Sequence, residues 1–364
     1  LPPLAAASGG KLIASLSVLR RELAVTQRPS GVITRRACIE LCAGAGGQAL
    51  GLERAGFGHE ALIELDADAC LTLRTNRPDW NVLRADVRAL GATSVDGIRH
   101  SDLLAAGVPC PPFSLAGHQL GADDERDLFP HVLSLVAAIR PRAVLIENVK
   151  GLLQEKFSSY RTRIIHVLQG LGYTAEWRLL YARDFGVPQL RPRSVLVALE
   201  PRTFGHFQWP EGGLVPDDSM VVGSVLRESM ASRGWELADL WAEQAQKIAP
   251  TLCGGSKKHG GPDLGPTRAR EAWAKLGING SGVADVPPAP GDLLPVKLTV
   301  SQMALLQGFP PEWKFEGGKT SMYRQVGNAF PPPVAQAVGR EIVNALDRAD
   351  SAAEGAAKRH ADHA

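Results

Sequence analysis

Between residues 35 and 200, short apolar runs alternate with longer amphipathic stretches. "ACIELCAGAGG" is an apolar run that ends in glycines, and "ALIELD" (61–66), "NVLRAD" (81–86), "AVLIENV" (143–149) and "SVLVALE" (194–200) each read as a strand. "SDLLAAG" (101–107) is ambiguous between a strand and a helical turn. Helix-capable stretches lie between most of these, at 47–56, 128–140 and 159–171. Apolar strands alternating with helices over this length predict an α/β fold built on a doubly wound, mainly parallel sheet.

The texture changes at residue 201. "FGHFQWPEGGLVPDDS" is turn-rich, and 250–295 is dense in Gly and Pro with little periodicity, which predicts a second, loop-dominated domain over 201–297. Order returns at 298, where "LTVSQMALLQGF" reads as a helix stopped by Pro310 and Pro311. In "PPPVAQAVGREIVNAL" the prolines lead into a helix starting near Val334, so 298–350 is expected to complete the first domain, which is therefore discontinuous. Residues 1–34 form a helix-capable lead, and the alanine-rich charged tail 351–364 is expected to fray.

Composition narrows the class. The 364 residues are 45% hydrophobic and 21% charged, as in an ordinary water-soluble globular protein, and the formal net charge is only +2. Whole-chain electrostatics therefore neither demands nor excludes nucleic acid; a basic footprint has to be local. The opening "LPPLAAASGGKL" lacks the charged flank and long apolar run of a signal or membrane segment, so no membrane partner is expected. The five cysteines (Cys38, Cys42, Cys70, Cys110, Cys253) are odd in number and scattered, unlike a disulfide framework. Cys38 and Cys42 have no second pair at zinc-like spacing, so no metal is expected. A reducing, cytoplasmic compartment follows, with Cys110 a free thiol inside "GVPCPPFS".

Two constellations carry candidate chemistry. Cys42, Ala43, Gly44, Gly46 and Gly47 form a turn between a strand and a helix, where glycine lets backbone N–H groups approach a ligand. The spacing is GxGG, not the dinucleotide fingerprint. Glu64 follows about twenty residues later, where an α/β fold often holds ribose hydroxyls, and Asp86 ends the third strand, placed to accept from an adenine amino group. Together they suggest an adenosine-containing cofactor, either a nicotinamide dinucleotide or S-adenosylmethionine. The second constellation gathers Cys110, Glu147, Asn148, Arg191 and Arg193 at strand ends that converge on one crevice. A thiol, a carboxyl and two guanidiniums suit nucleophilic chemistry, because nearby cations enrich the thiolate.

These residues resemble the DNA (cytosine-5) methyltransferase family over nearly the whole chain, with the motifs in the family's order. "ELCAGAGG" is similar to its cofactor loop, with Cys42 where phenylalanine is usual and Glu40 where aspartate is usual. "IELD" resembles the ribose segment, Asp86 and Val87 the adenine-edge pair, and "GVPCPPFS" the nucleophile loop. "ENV" (147–149), "QLRPR" (189–193), "LLQGFP" (305–310) and "YRQVGNAFPPP" (323–333) complete the pattern.

The resemblance implies a Rossmann-like methyltransferase sheet that binds S-adenosyl-L-methionine and releases S-adenosyl-L-homocysteine. Glu64 would hold the ribose and Leu65 the adenine face, with Asn328 at the interface of cofactor domain and loop. Cys110 would attack C6 of a flipped cytosine, Glu147 would bond its N3 edge, and Asn148 would position the nucleophile loop. Arg193 would meet the base or adduct, and Arg191 the flipped nucleotide and its phosphate. Flipping is a physical requirement, since C6 is out of reach in stacked DNA.

Several departures from the pattern carry expectations. Pro111 replaces a usual glutamine and would stiffen the nucleophile loop. Cys42 would make a thinner cofactor wall. Ser301, Gln302 and Leu305 replace charged side chains and predict altered domain packing rather than lost chemistry.

Residues 201–297 fall where the family keeps its target recognition domain. From Thr251 to Gly280 there are five Lys/Arg against two Asp/Glu, and Ser114, Thr251, Lys257, Lys258, Arg268 and Arg270 are candidate DNA contacts. The expected partner is double-stranded DNA. The expected enzyme is a monomeric bacterial modification methylase of the cytoplasm and nucleoid, with a cognate restriction endonuclease plausible. An RNA cytosine-5 methyltransferase and a catalytically idle homologue are the rivals; the dinucleotide oxidoreductase lacks its fingerprint.

Overall fold

The computed structural model describes residues 36–91, 101–109, 127–213, 220–255, 261 and 263–361. Cys110, Pro111, Ser114, Lys257, Lys258 and the 1–34 lead lie outside the described residues.

The core is one seven-stranded sheet: β1 (Arg36–Leu41), β2 (Phe57–Glu64), β3 (Val82–Arg84), β4 (Leu103–Gly107), β5 (Ala143–Val149), β6 (Thr174–Tyr181) and β7 (Pro192–Leu199). Their spatial order is β3-β2-β1-β4-β5-β7-β6. The ambiguous 101–107 stretch is a strand, paired in parallel with β1 and β5. β1, β4 and β5 are almost entirely buried, which explains their continuous apolar runs. β7 is antiparallel to both β5 and β6, so the sheet is mixed at that edge. β6 alternates exposed and covered positions and carries the edge strand's polar face.

Helices cover both faces. α1 (Gly47–Ala55) and the long α11 (Pro332–Ala361) pack on one side, with Leu52, Phe57, Val334, Val338 and Ile342 in a common core. α3 (Phe129–Ile139) and α4 (Ser158–Gly170) bury Val132, Val136, Ile164 and Leu168 on the other. α2 (Ala67–Asn76) follows β2 and is capped by Asp66, whose side chain accepts from Asp68 N and Ala69 N. α11 begins at Pro332, two residues before the position expected, and does not fray at Ser351 but continues helically to Ala361. Its alanine-rich composition favours helix even where no core lies beneath it. Arg36 and Arg142 fasten α11 to the sheet's lower edge through Asp350 (2.6 Å each), with Arg36 also reaching Asp347 at 2.6 Å and Asp102 at 3.3 Å. These charges sit at the N-terminal ends of the parallel strands, away from the crevice.

The 201–297 stretch is more helical than its Gly/Pro content predicts. α5 (Pro201–Phe204), α6 (Val222–Ala231), α7 (Ala238–Gln244) and α8 (Thr267–Ala274) lie there, followed by α9 (Val300–Leu306) and α10 (Lys319–Asn328). The physical reason is a separate apolar cluster that includes Leu226, Met230, Trp235, Trp241 and Trp273 together with Met303, Leu306 and Tyr323. Gln302, one of the departures, is buried there. It completes a capping box with Thr299, and its Nε2 lies 3.4 Å from Met230 Sδ.

Candidate active site

The turn after β1 is built from left-handed backbone. Cys42 (φ 55), Gly44 (φ 54) and Gly46 (φ 86) all occupy the region glycine tolerates, and Cys42 pays strain to be there. Gly44 N donates to Glu64 Oε2 at 2.8 Å, and Asp66 N to Oε1 at 2.7 Å, so one carboxylate ties the turn to the end of β2. The carboxylate keeps acceptor capacity for a further donor. Burial pushes the Glu64 carboxyl upward, and the backbone donors at Asp66 and Gly44 pull it back. Burial also raises the Cys42 and Cys70 thiols, Cys70 to about 11, so neither is a reactive thiolate at neutral pH.

Beside Glu64, Leu65 stands 58% exposed. Asp86 caps the short helical turn Val87–Ala89, accepting from Arg88 N at 2.9 Å and pairing with Arg88 at 2.6 Å. The Arg88 bond holds its carboxyl below the usual range. Val87 is buried against the sheet. An apolar face flanked by carboxylates on adjacent strand ends fits an adenosine: a wall for the ring, and acceptors for hydroxyl and amino groups. The glycines confirm close packing beneath the loop, since a Cβ on Gly47 would meet Phe330 O at 2.3 Å and one on Gly46 the Trp313 ring at 2.9 Å.

The second constellation is formed by β5 and β7. Their antiparallel register sets Val149 opposite Arg193 and Asn148 opposite Ser194. The Arg193 Nε lies 2.7 Å from Glu147 Oε1, a charge contact in which neither atom has an aligned hydrogen-bond partner. Both residues are buried, at 8% and 5% exposed. Burial raises the Glu147 carboxyl above its ordinary value, and Arg193 and then Arg191 oppose the shift. Asn148 is fully buried; its Nδ2 donates to Val108 O at 3.2 Å and its Oδ1 accepts from Val149 N at 2.8 Å. This anchors the chain two residues before Cys110.

Arg191 goes elsewhere. It is 0% exposed, and its guanidinium donates to Leu252 O (2.8 Å), Gly327 O (2.7 Å) and Ala329 O (2.9 Å). That places it at the junction of three segments, with three carbonyl oxygens as its partners. Gln189 shares the junction, donating to Leu306 O and Gln307 Oε1 and accepting from Leu252 N.

Thr251 spends its hydroxyl on Leu190 O. Asn328 Nδ2 donates to Gly255 O at 3.3 Å. Gly254 closes on α10: a Cβ there would meet Asn328 Oδ1 at 2.5 Å. Arg268 and Arg270 are exposed on α8, the latter 3.5 Å from Thr267 Oγ1. Trp313, Gln189 and Tyr323 were not singled out from sequence. The last two lie inside the quoted "QLRPR" and "YRQVGNAFPPP", so their motifs carried a signal; Trp313, just past "LLQGFP", carried only its aromatic bulk.

Among the described residues no His/Cys/Asp/Glu group could hold a metal ion, and no helix is long and apolar enough to cross a membrane. Residues 36–344 match the family model for C-5 cytosine-specific DNA methylase. The chain is 55% identical over 313 residues to the Type II methyltransferase M.NaeI of Lentzea aerocolonigenes, covering 85% of this chain and 75% of that protein. It is 50% identical to M.NgoMIV of Neisseria gonorrhoeae over 85% of this chain and 98% of that one. The solved S. pombe Dnmt2 methyltransferase shares the fold, with TM-score 0.56 at 18% identity over 86% of this chain and 98% of that chain. The mixed sheet and these matches agree: the chain belongs to the C-5 cytosine-specific DNA methylase family, whose members transfer a methyl group from S-adenosylmethionine to C5 of cytosine in double-stranded DNA.

Proposed function

We propose that this protein methylates one cytosine within a specific duplex sequence, using Cys110 as nucleophile on a base flipped out of the stack. The reading rests on the buried Glu147–Arg193 pair beside the Val108 anchor, which sets a carboxyl and a cation where the chain enters the Cys110 loop. Cytosine C5 is a poor nucleophile until C6 is saturated. The Cys110 thiolate adds to C6, and the electron pair displaced from the C5–C6 bond makes C5 nucleophilic. Glu147, which burial favours in its protonated form, donates to N3 and accepts from the exocyclic amino group. Arg193 balances the charge that collects on the base. Asn148 fixes the approach of the nucleophile loop. S-adenosylmethionine, when bound, supplies an electrophilic methyl group, and Glu64, Leu65 and Asp86 orient its adenosine. With the methyl group on C5 and S-adenosylhomocysteine as the other product, loss of the C5 proton to solvent returns its electron pair to the C5–C6 bond and expels the Cys110 thiolate, which restores the aromatic ring.

Arg268 and Arg270, exposed on α8, are placed in this reading on the DNA side, with 201–297 as the target recognition domain and 298–350 returning to the catalytic domain. Because the two relatives are Type II methyltransferases, the protein is read as the modification arm of a bacterial restriction pair, acting as a monomer on nucleoid DNA.

Transfer from labelled S-adenosylmethionine to duplex DNA and to RNA tests the reading. Methyl transfer to duplex DNA that is lost in Cys110→Ala, and a trapped adduct on 5-fluorocytosine DNA, are the expected results. Transfer to RNA alone, or full activity in Cys110→Ala, overturns it.

A further inference from the structure

Trp313 lies in the return segment, 268 residues from the cofactor turn, yet it forms part of that turn's floor. Its indole Nε1 donates to Ala45 O at 3.2 Å. Its ring leaves Gly46 no room for a side chain, since a Cβ there would lie 2.9 Å from the ring. Trp313 is buried, stacked near Phe309 (5.8 Å) and Trp80 (6.3 Å), with the Arg77 guanidinium 5.4 Å from its ring centre. Arg77 is itself held by Glu53 of α1, with Nη2 to Oε2 at 2.9 Å.

The segment after Trp313 is riveted to α2. Asn76 clamps Lys314 on both sides, donating from Nδ2 to Lys314 O (2.6 Å) and accepting from Lys314 N at Oδ1 (2.9 Å). Thr72 Oγ1 accepts from Glu316 N at 2.9 Å and donates to Gln325 Oε1 at 2.7 Å, while Gln325 Nε2 donates to Glu316 O at 2.8 Å. The indole is therefore held by a rigid strap and in turn holds a loop whose backbone is left-handed at Cys42, Gly44 and Gly46.

We infer that Trp313 is a positioning residue for the cofactor: its N–H and ring keep the Ala45–Gly46 backbone in the shape that receives S-adenosylmethionine. The inference rests on the reading of the glycine turn as the cofactor site. Trp313→Phe keeps an aromatic floor and removes the donor, leaving the buried Ala45 carbonyl unpaired. Loss of one net hydrogen bond weakens binding about three- to tenfold. Asn76→Ala releases Lys314 without touching the loop and is expected to act in the same direction.

The test is direct binding of S-adenosylmethionine by calorimetry to the wild type and both variants, with steady-state kinetics alongside. The expected result is a raised Kd and KM for the cofactor, with kcat at saturating cofactor and KM for DNA within about twofold of wild type, and the loss rescued by excess cofactor. Unaltered cofactor affinity in Trp313→Phe overturns the inference, as does an equal rise in KM for DNA, which would report general loosening. Failure of the wild type to bind the cofactor would instead defeat the reading of the site itself.

Discussion

Replacing Arg191 with methionine separates a structural arginine from a chemical one. The guanidinium is fully buried and serves carbonyl oxygens of Leu252, Gly327 and Ala329 at 2.7 to 2.9 Å, joining the β7 approach to two remote segments. Each hydrogen bond to a charged group contributes about 1.5–3 kcal/mol, and each buried carbonyl left unpaired costs about 1–3 kcal/mol. Against this stands the cost of burying the charge, which methionine removes. Three carbonyls left unpaired cost about 3–9 kcal/mol together before that relief, a large part of a domain's total of about 5–15 kcal/mol. Arg191→Met should therefore lower the urea midpoint strongly, with no change in slope, and lose activity only as folded protein is lost. Arg193→Met is the counterpart. It removes one partner of a buried charge contact, but burial favours the neutral form of the Glu147 that remains, so the loss of stability should be smaller while turnover collapses. Urea unfolding followed by fluorescence, with turnover measured on the fraction that remains folded, reads both. A wild-type urea midpoint in Arg191→Met accompanied by lost turnover would refute the reasoning, because Arg191 would then be acting on the nucleotide.

Two further outcomes follow from the same geometry. Burial raises the Glu147 carboxyl above 4.5, so the folded state keeps a proton that the unfolded chain releases; the stability from that proton is present below the ordinary carboxylate value and is lost as pH rises through the raised one. Glu147→Gln cannot titrate, so its urea midpoint should climb relative to wild type from pH 4.5 upward, while methyl transfer falls about a hundredfold or more; parallel stability curves would contradict this. At the α1–α11 contact, a Cβ on Gly51 would meet Pro332 O at 2.4 Å and Ala335 Cβ at 2.5 Å. Gly51→Ala should therefore cost about 1–3 kcal/mol from overpacking, more than the gain of about 1 kcal/mol from helix propensity. A thermal melt at or above the wild-type temperature would show that the two helices separate freely.

Much of the frame was legible in the sequence because buried strands announce themselves locally. "AVLIENV" and "CIEL" are apolar on both faces, and only a strand inside a covered sheet needs that. The glycine turn with Glu64, and the carboxyl of Glu147 inside an apolar strand, were visible because each is chemically expensive where it stands. β6 was passed over, since its alternating exposed positions resemble surface helix or loop. The helices of 201–297 were also hidden. Their core is assembled from tryptophans and small residues scattered over a hundred positions, and local periodicity does not sum such contacts.

The chain's order of residues by itself nominated the candidate groups: a thiol, a carboxyl, two arginines, and a glycine turn after a buried strand. Tertiary structure alone decided how they were used. Arg191 and Arg193 are two residues apart and chemically identical, yet one meets three carbonyls 61 to 138 positions away and the other a carboxylate on the neighbouring strand. Trp313 likewise meets Ala45 across 268 positions. Hydrogen bonds act over about 3 Å, so their partners are chosen by the path of the folded backbone and not by nearness in sequence.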